Sequence, residues 1–172
     1  MDEKRIKIAE SNFRNYLRDE LIKKVRFEEI VYQTYLRNAL ESLKVAEELF
    51  KNKTSSLWVV VSSYYSMFYI ASAYIYKKGY KASGEIVHQI INESLIILAR
   101  HDLEKHFLEE YEEEKEKALS ASGNLLDKYE SEKTKRSMFQ YETTDVIKEA
   151  KANTSLERAK GFVSVIRQLL EK

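Results

Sequence analysis

Cysteine and proline are absent from this 172-residue chain, and glycine occurs only four times. Without cysteine there is neither a disulfide framework nor a thiol nucleophile. Four scattered glycines exclude a glycine-rich phosphate loop, which needs several in one short run so that backbone amides can approach the phosphate. A chain this poor in both residues predicts helices joined by short turns. An excess of one charge is missing too: 29 Lys+Arg stand against 28 Asp+Glu, a formal net charge of +1. No global basic field draws nucleic acid, so any such binding needs a local patch. The N-terminal residues MDEKRIKIAE lack the apolar core of a signal peptide, and a cytoplasmic protein is expected. The length predicts a single domain large enough for a proper core, and no internal repeat is visible.

Against this background one stretch stands out. Residues 54–76, TSSLWVVVSSYYSMFYIASAYIY, carry no charge in a chain that is 33% charged. As a helix this stretch is roughly 35 Å long and apolar or aromatic on nearly every side, so it must be surrounded by protein or by lipid. Its length meets the requirement for crossing a bilayer, but its composition does not. Six serines dilute it, and Tyr64, Tyr65, Tyr69, Tyr74 and Tyr76 are spread along it rather than gathered in interfacial belts. Lysines flank both ends, so neither side is favoured as cytoplasmic. A buried core helix is therefore expected and no membrane span, with Ser63, Ala71 and Ala73 letting neighbouring helices approach closely.

The other segments are amphipathic and supply the cover. Ile6, Ala9, Phe13, Tyr16, Leu17 and Leu21 recur at three- and four-residue spacing, predicting a first helix over 3–24. A second over 27–51 places Val31, Tyr35, Ala39, Leu43, Ala46 and Phe50 on one face. No breaker separates the two, and the charged residues 23–26 are read as the bend. Thr54 or Ser55 can cap the central helix by accepting from its first free amides, and Gly79 closes it. A turn at 80–83 leads to a helix over 84–99 with Val87, Ile90, Ile91, Leu95 and Leu98 inward. Asp102 is read as the cap of the next helix, which carries the acidic run 109–116 as a solvated face and ends before Gly123. A shorter polar helix over 124–137 follows. The last helix runs from about 144 to the end, with Ala159, Phe162, Val163, Ile166 and Leu170 at core spacing. Gly161 within it costs about 1 kcal/mol relative to alanine, so close approach to another backbone is expected there. The fold class is an all-α antiparallel helical bundle: residues 1–26 form an N-terminal helical extension and 27–172 the bundle proper.

At the central helix the order of residues resembles a known family. Ala46-Glu47-Glu48-Leu49-Phe50, then Ser63-Tyr64-Tyr65-Ser66-Met67-Phe68-Tyr69, Ala71 and Ala73, then Lys78-Gly79-Tyr80, are similar to the central part of HEPN domains. The match is to their small stand-alone prokaryotic branch. The tail, with Arg136, Tyr141, Leu156, Ala159 and Phe162-Val163, matches that branch's ending. The likeness covers about residues 30–172, and order, spacing and small-residue positions together carry it. The resemblance implies a bundle of four or five helices that dimerises. It also implies action beside a minimal nucleotidyltransferase, frequently as toxin and antitoxin. Active members cleave RNA without metal through an Arg-x4-6-His motif, the Arg holding the scissile phosphate and the His moving a proton to or from the ribose hydroxyl. The two protomers bring their motifs together across a dimer cleft.

Two stretches compete for that role here. Arg100 and His106 form Arg-x5-His with a polar second residue, but in the wrong place along the chain. Arg136 stands where the family has its Arg, yet Gln140 or Tyr141 follows where a His is needed. Neither is an effective general base at neutral pH, tyrosine titrating near 10. Lys128, Lys133, Lys135 and Arg136, with Arg158, Lys160 and Arg167 on the last helix, form a nucleic-acid groove only if they converge; a salt-bridged surface is the simpler reading. Asp102, His106 and Glu109 or Glu110 line one helix face at i, i+4 and i+7/8, a candidate metal site. Glu85-x-x-His88 is half of a di-iron signature whose other half is missing, so neither metal nor cofactor is expected. The leading expectation is a homodimer with a degenerate RNase motif serving a toxin–antitoxin or defence-type system, with RNA or a nucleotide as ligand. Its rivals are an active metal-independent RNase and a non-catalytic dimerisation module.

Overall fold

The computed structural model describes residues 2–134 and 145–171, with side chains for 2–121 and 149–171. Its element order is α1 (Glu3–Arg18), β1 (Ile22–Lys24), α2 (Glu29–Lys51), α3 (Ser56–Lys77), β2 (Tyr80–Ala82), α4 (Val87–Ala99), α5 (Lys105–Thr134) and α6 (Asp145–Leu170). The charge-free stretch is α3, and it is the axis of an all-α bundle. Its most extensive pairing is with α2, followed by α6, with α5 and α4 closing the remaining sides. Tyr64, Met67 and Ile70 are fully buried, each contributing roughly 1.5–3 kcal/mol through apolar area removed from water. Ser63, Ala71 and Ala73 are buried as expected, keeping the packed surface of α3 low where neighbours cross it. Ser55 is its N-cap, the hydroxyl accepting from the Trp58 amide at 3.3 Å. Beyond its end Gly79 takes φ 87°, the left-handed conformation that turns the chain back. Among the described residues no helix is long and apolar enough to cross a membrane.

The faces of the surrounding helices follow the expected spacing. On α2, Ala39 and Ala46 are fully buried two turns apart, and Ala46 joins Val59, Ala152 and Leu156 in a small second core where α2, α3 and α6 meet. On α6, Ala159, Phe162, Val163, Ile166 and Leu170 all lie in the main core. Gly161 sits against α5, but its nearest neighbour is a ring rather than a backbone. A Cβ there would lie 3.7 Å from Phe107 Cε1, an ordinary contact.

The first forty residues depart from the periodic reading. α1 stops at Arg18, not 24. Asp19 and Leu21 amides return to the carbonyls of Asn15 and Tyr16 at 2.8 and 2.9 Å, with Glu20 between them at φ 57°. That reversal frees 22–24 to form a strand rather than a bend between helices, and the turn expected at 80–83 is its partner. The two strands are antiparallel, with Ile22 opposite Ala82 and Lys24 opposite Tyr80. Ile22 points fully inward while Lys23 and Lys24 are exposed, so Ile22 alone anchors this strand in the core. The hairpin-like clasp ties the extension to the end of α3, and α1 lays Ala9, Phe13 and Tyr16 onto the bundle, chiefly along α4.

Two later expectations also give way. Asp102 does not cap α5, which starts at Lys105; its carboxylate instead accepts from the Tyr74 hydroxyl at 2.5 Å and from Lys78 Nζ at 3.3 Å. α5 does not end before Gly123 but continues as one helix to Thr134. A single glycine costs about 1 kcal/mol in a helix interior, which the long flanking runs of good helix formers offset.

Candidate functional site

Arg100 and His106 end up on separate errands. Arg100 is the C-cap of α4. Its Nη1 donates to Glu10 Oε1 on α1 at 2.9 Å, and its Nε lies 3.2 Å from His101 Nε2. His106 is in the first turn of α5, its side chain 52% exposed, with Nδ1 3.4 Å from Glu104 Oε2 and the ring 4.0 Å from that of Phe107. Among the described residues no hydrogen bond or ion pair joins the two. Arg136, Gln140 and Tyr141 lie outside the described residues, as do the side chains of Lys128, Lys133 and Lys135.

His88 has a more specific environment. It is half-buried near the start of α4, with the rings of Phe68, Tyr64 and Tyr65 at 4.5, 5.6 and 5.7 Å. Its Nδ1 is 2.9 Å from the Tyr64 hydroxyl, the imidazole tautomer deciding which of them donates. Burial, then the positive charge of Lys115, lowers its pKa, so the ring is neutral at pH 7. Burial holds both Tyr64 and Tyr111, which is fully buried behind it, well above the ordinary phenol value. The Tyr111 hydroxyl faces this pair without a hydrogen bond of ordinary geometry. The trio is a polar seam between α3, α4 and α5, and among the described residues none of its hydrogen bonds goes to an acidic side chain. Glu85 precedes α4 in a turn, and Asp102 precedes α5, so neither postulated metal face forms. Among the described residues no three His, Asp or Glu side chains cluster closely enough to hold a metal.

The acidic run on α5 is not simply a solvated face. Glu114 is fully buried, accepting from Lys117 Nζ at 2.8 Å, from Arg158 Nη1 at 2.9 Å and from the Ser155 hydroxyl. Glu110 and Glu113 also pair with Arg158, at 3.5 and 2.7 Å. On another side of α5, Glu112 meets Arg5. That guanidinium donates to both oxygens of Glu93 at 2.7 and 3.0 Å and to Glu112 Oε1 at 2.7 and 3.0 Å, while Asn92 adds a bond to Glu112 at 3.2 Å. Lys160 is likewise occupied, by Glu157 and Glu47. The cations Arg158 and Lys160 are thus consumed in stitching helices together, which is the salt-bridged reading.

Two shallow depressions lie among the described residues, one of about 690 Å³ along the start of α1, lined by Asp2, Glu3, Lys4, Lys7, Ile8 and Ser11, and one of about 490 Å³ between α2 and α3. In the second, the α3 wall is Trp58, Val61, Ser62, Tyr65 and Tyr69, and the α2 wall is Asn38, Glu41, Ser42 and Val45. Trp58, the sole tryptophan, is 51% exposed and Val45 46%. The hydroxyls of Tyr65 and Tyr69 make no hydrogen bond to the described residues. The sequence reading named Tyr65 and Tyr69 only as parts of a buried central helix and placed no site here. The residues of the α3 wall have the spacing of one ordinary helix face, so nothing in the sequence separates this side of α3 from the buried ones.

A family model described as HEPN domain matches residues 32–169 of the chain. The match begins inside α2, after α1 and β1, and ends in the last turn of α6. Comparison with curated proteins gave no match, and neither did comparison with solved structures.

Proposed function

From the fact that the chain belongs to the HEPN domain family, we propose that it is a non-cleaving HEPN homodimer. It works in the cytoplasm beside a minimal nucleotidyltransferase, in a toxin–antitoxin or defence-type system, with RNA or a nucleotide as ligand. The observation that carries the non-cleaving part is the pairing of Arg100 with Glu10 at 2.9 Å. A guanidinium neutralised by a carboxylate of the extension is a poor clamp for a scissile phosphate, and His106 is oriented by Glu104 rather than toward it. The alternative position, Arg136, is followed by Gln140 and Tyr141 and so lacks a base that titrates near neutrality. The homodimer is supported by Trp58, a large apolar side chain left 51% exposed beside the half-buried Tyr65 and Tyr69.

The test is incubation of the purified protein with mixed-sequence RNA in the presence of a chelator, alongside Arg100→Ala, His106→Ala and Arg136→Ala. The expected result is intact RNA in all four. Fragments produced by the wild type and lost in any one variant would overturn the reading in favour of an active RNase. Co-expression with a neighbouring nucleotidyltransferase tests the partner: a stable complex is expected, and its absence removes that part of the proposal.

A further inference from the structure

We propose that the β1–β2 clasp and the chain just beyond it form a lysine face that docks the protein on an anionic lipid surface. Its cations come from two short segments, 22–27 (IKKVRF) and 77–82 (KKGYKA). Six of these twelve residues are Lys or Arg and none is Asp or Glu, in a chain whose net charge is only +1. Neither segment is a large cluster alone; the fold brings them together. Ile22, Lys23 and Lys24 pair with Ala82, Lys81 and Tyr80, and the Val25 amide carries the pairing on to the Gly79 carbonyl at 2.9 Å. Lys23 thus stands directly opposite Lys81, where like charges repel, and all six cations are exposed. Lys24, Arg26 and Lys81 have no ion pair among the described residues. Lys23 and Lys78 meet only the exposed carboxylates of Glu20 and Asp102, at 2.9 and 3.3 Å, pairs that contribute little in water. Lys77 donates to the Leu170 carbonyl at the end of α6.

A partner rich in negative charge removes the repulsion between the facing lysines, and three observations favour a bilayer over a nucleic acid. Five of the six cations are lysines, whose flexible point charges suit a diffuse field of headgroups; the planar fork that grips single phosphates is arginine's. None of the six lines either surface depression, so no groove is offered to a strand. Tyr80, the ring between the lysines, is half-buried and packed on Phe13 at 5.6 Å, which leaves it poorly placed to stack a base. Phe27, immediately after Arg26, is 46% exposed while it holds Tyr32 and Tyr76 at 5.5 and 5.7 Å. It adds apolar area of the kind that enters a headgroup layer. Six cations make a cluster of the size that holds a protein to anionic lipid. Lys23, Lys24 and Arg26 precede the residues that the HEPN model matches, so half of the face belongs to this chain's own extension. The proposal is independent of the homodimer and of RNA cleavage.

The experiment is co-sedimentation of the full chain with vesicles of equal parts phosphatidylcholine and phosphatidylserine, against vesicles of phosphatidylcholine alone. Binding to the mixed vesicles only is expected, falling away as salt is raised. Lys24→Ala, Arg26→Ala and Lys81→Ala are all at exposed positions, with the fold checked by circular dichroism. Each is expected to weaken binding about fivefold. Lys51→Ala, at the other end of α2, is expected to leave binding unchanged. No binding to the mixed vesicles at low salt, equal binding to both kinds, or the same loss in Lys51→Ala overturns the proposal. So does a mixed-sequence RNA retained through Lys24, Arg26 and Lys81 when the mixed vesicles are not, which makes the face a nucleic-acid surface instead.

Discussion

Arg5 is the residue on which the attachment of α1 depends most, and its removal has a calculable consequence. Its guanidinium makes four hydrogen bonds to two carboxylates, and Glu93 among them is only 6% exposed. Burial works against the Arg5 charge, but the hydrogen bonds to Glu93 and Glu112 outweigh it and hold its pKa above the ordinary value. In Arg5→Ala, Glu93 is left as a buried charge without its partner. Stranding such a charge costs about 3–5 kcal/mol in a dry interior; the partial exposure of Arg5 and Glu112 brings the expected loss to about 3 kcal/mol. For a chain of this size that lowers Tm by roughly 6–12 °C. Much of the penalty is the stranded charge, so Arg5→Ala combined with Glu93→Gln recovers a substantial part of it, a coupling a double-mutant cycle measures directly. The assay is thermal unfolding by circular dichroism, with amide exchange in α1 as the local readout. A Tm within 1 °C of wild type and unchanged exchange in α1 would refute the reasoning, as would a double variant no more stable than Arg5→Ala.

Three further outcomes follow from single contacts. Gly161→Ala is expected to stabilise by roughly 0.5–1 kcal/mol, because the new methyl meets only Phe107 Cε1 at 3.7 Å; a fall in the denaturant midpoint would show that the helices pack closer there than this. Burial pushes the carboxyls of Glu112 and Glu114 up. Hydrogen bonds from Arg5 and Asn92 to the first, and from Lys117, Ser155 and Arg158 to the second, more than reverse this and leave both below the ordinary 4.5. Their contribution is therefore complete above about pH 4.5 and lost as pH falls through the lower folded values. Arg158→Gln should move the acid-unfolding midpoint of the chain to higher pH, and an unchanged midpoint would count against the cluster. By nuclear magnetic resonance the His88 imidazole titrates below its ordinary 6.5, and a midpoint at or above that value would contradict its placement among Phe68, Tyr64 and Tyr65.

The core was legible because it is written in periodicity. The charge-free run marks α3, the seven-residue spacing of Ala39 and Ala46 marks the close approach of α2, and the run from Ala159 to Leu170 marks the inward face of α6. Ser55 and Gly79 mark the ends of α3 through the chemistry of caps. The clasp of β1 on β2 was not legible, because Ile22-Lys23-Lys24 is too short to show alternation and no glycine or proline precedes it. Glu20 adopts a left-handed backbone there without the residue that normally signals it. The buried Glu112 and Glu114 were missed for a different reason: glutamate is usually solvated, and only the tertiary positions of Arg5 and Arg158 make burial tolerable. Arg100 and His106 satisfy a motif along the chain, but whether they meet depends on Glu10, ninety residues away in sequence.

The physical claim beneath all of this is that α3 is wrapped by α2, α4, α5 and α6, with only the side carrying Trp58 left partly open. Site-resolved amide exchange tests it most directly. The account predicts that the amides of Tyr64, Met67, Ile70 and Ala71 exchange only through global unfolding, slowest in the chain, while those of α1 open first. Exchange along α3 as fast as in α1 would contradict it.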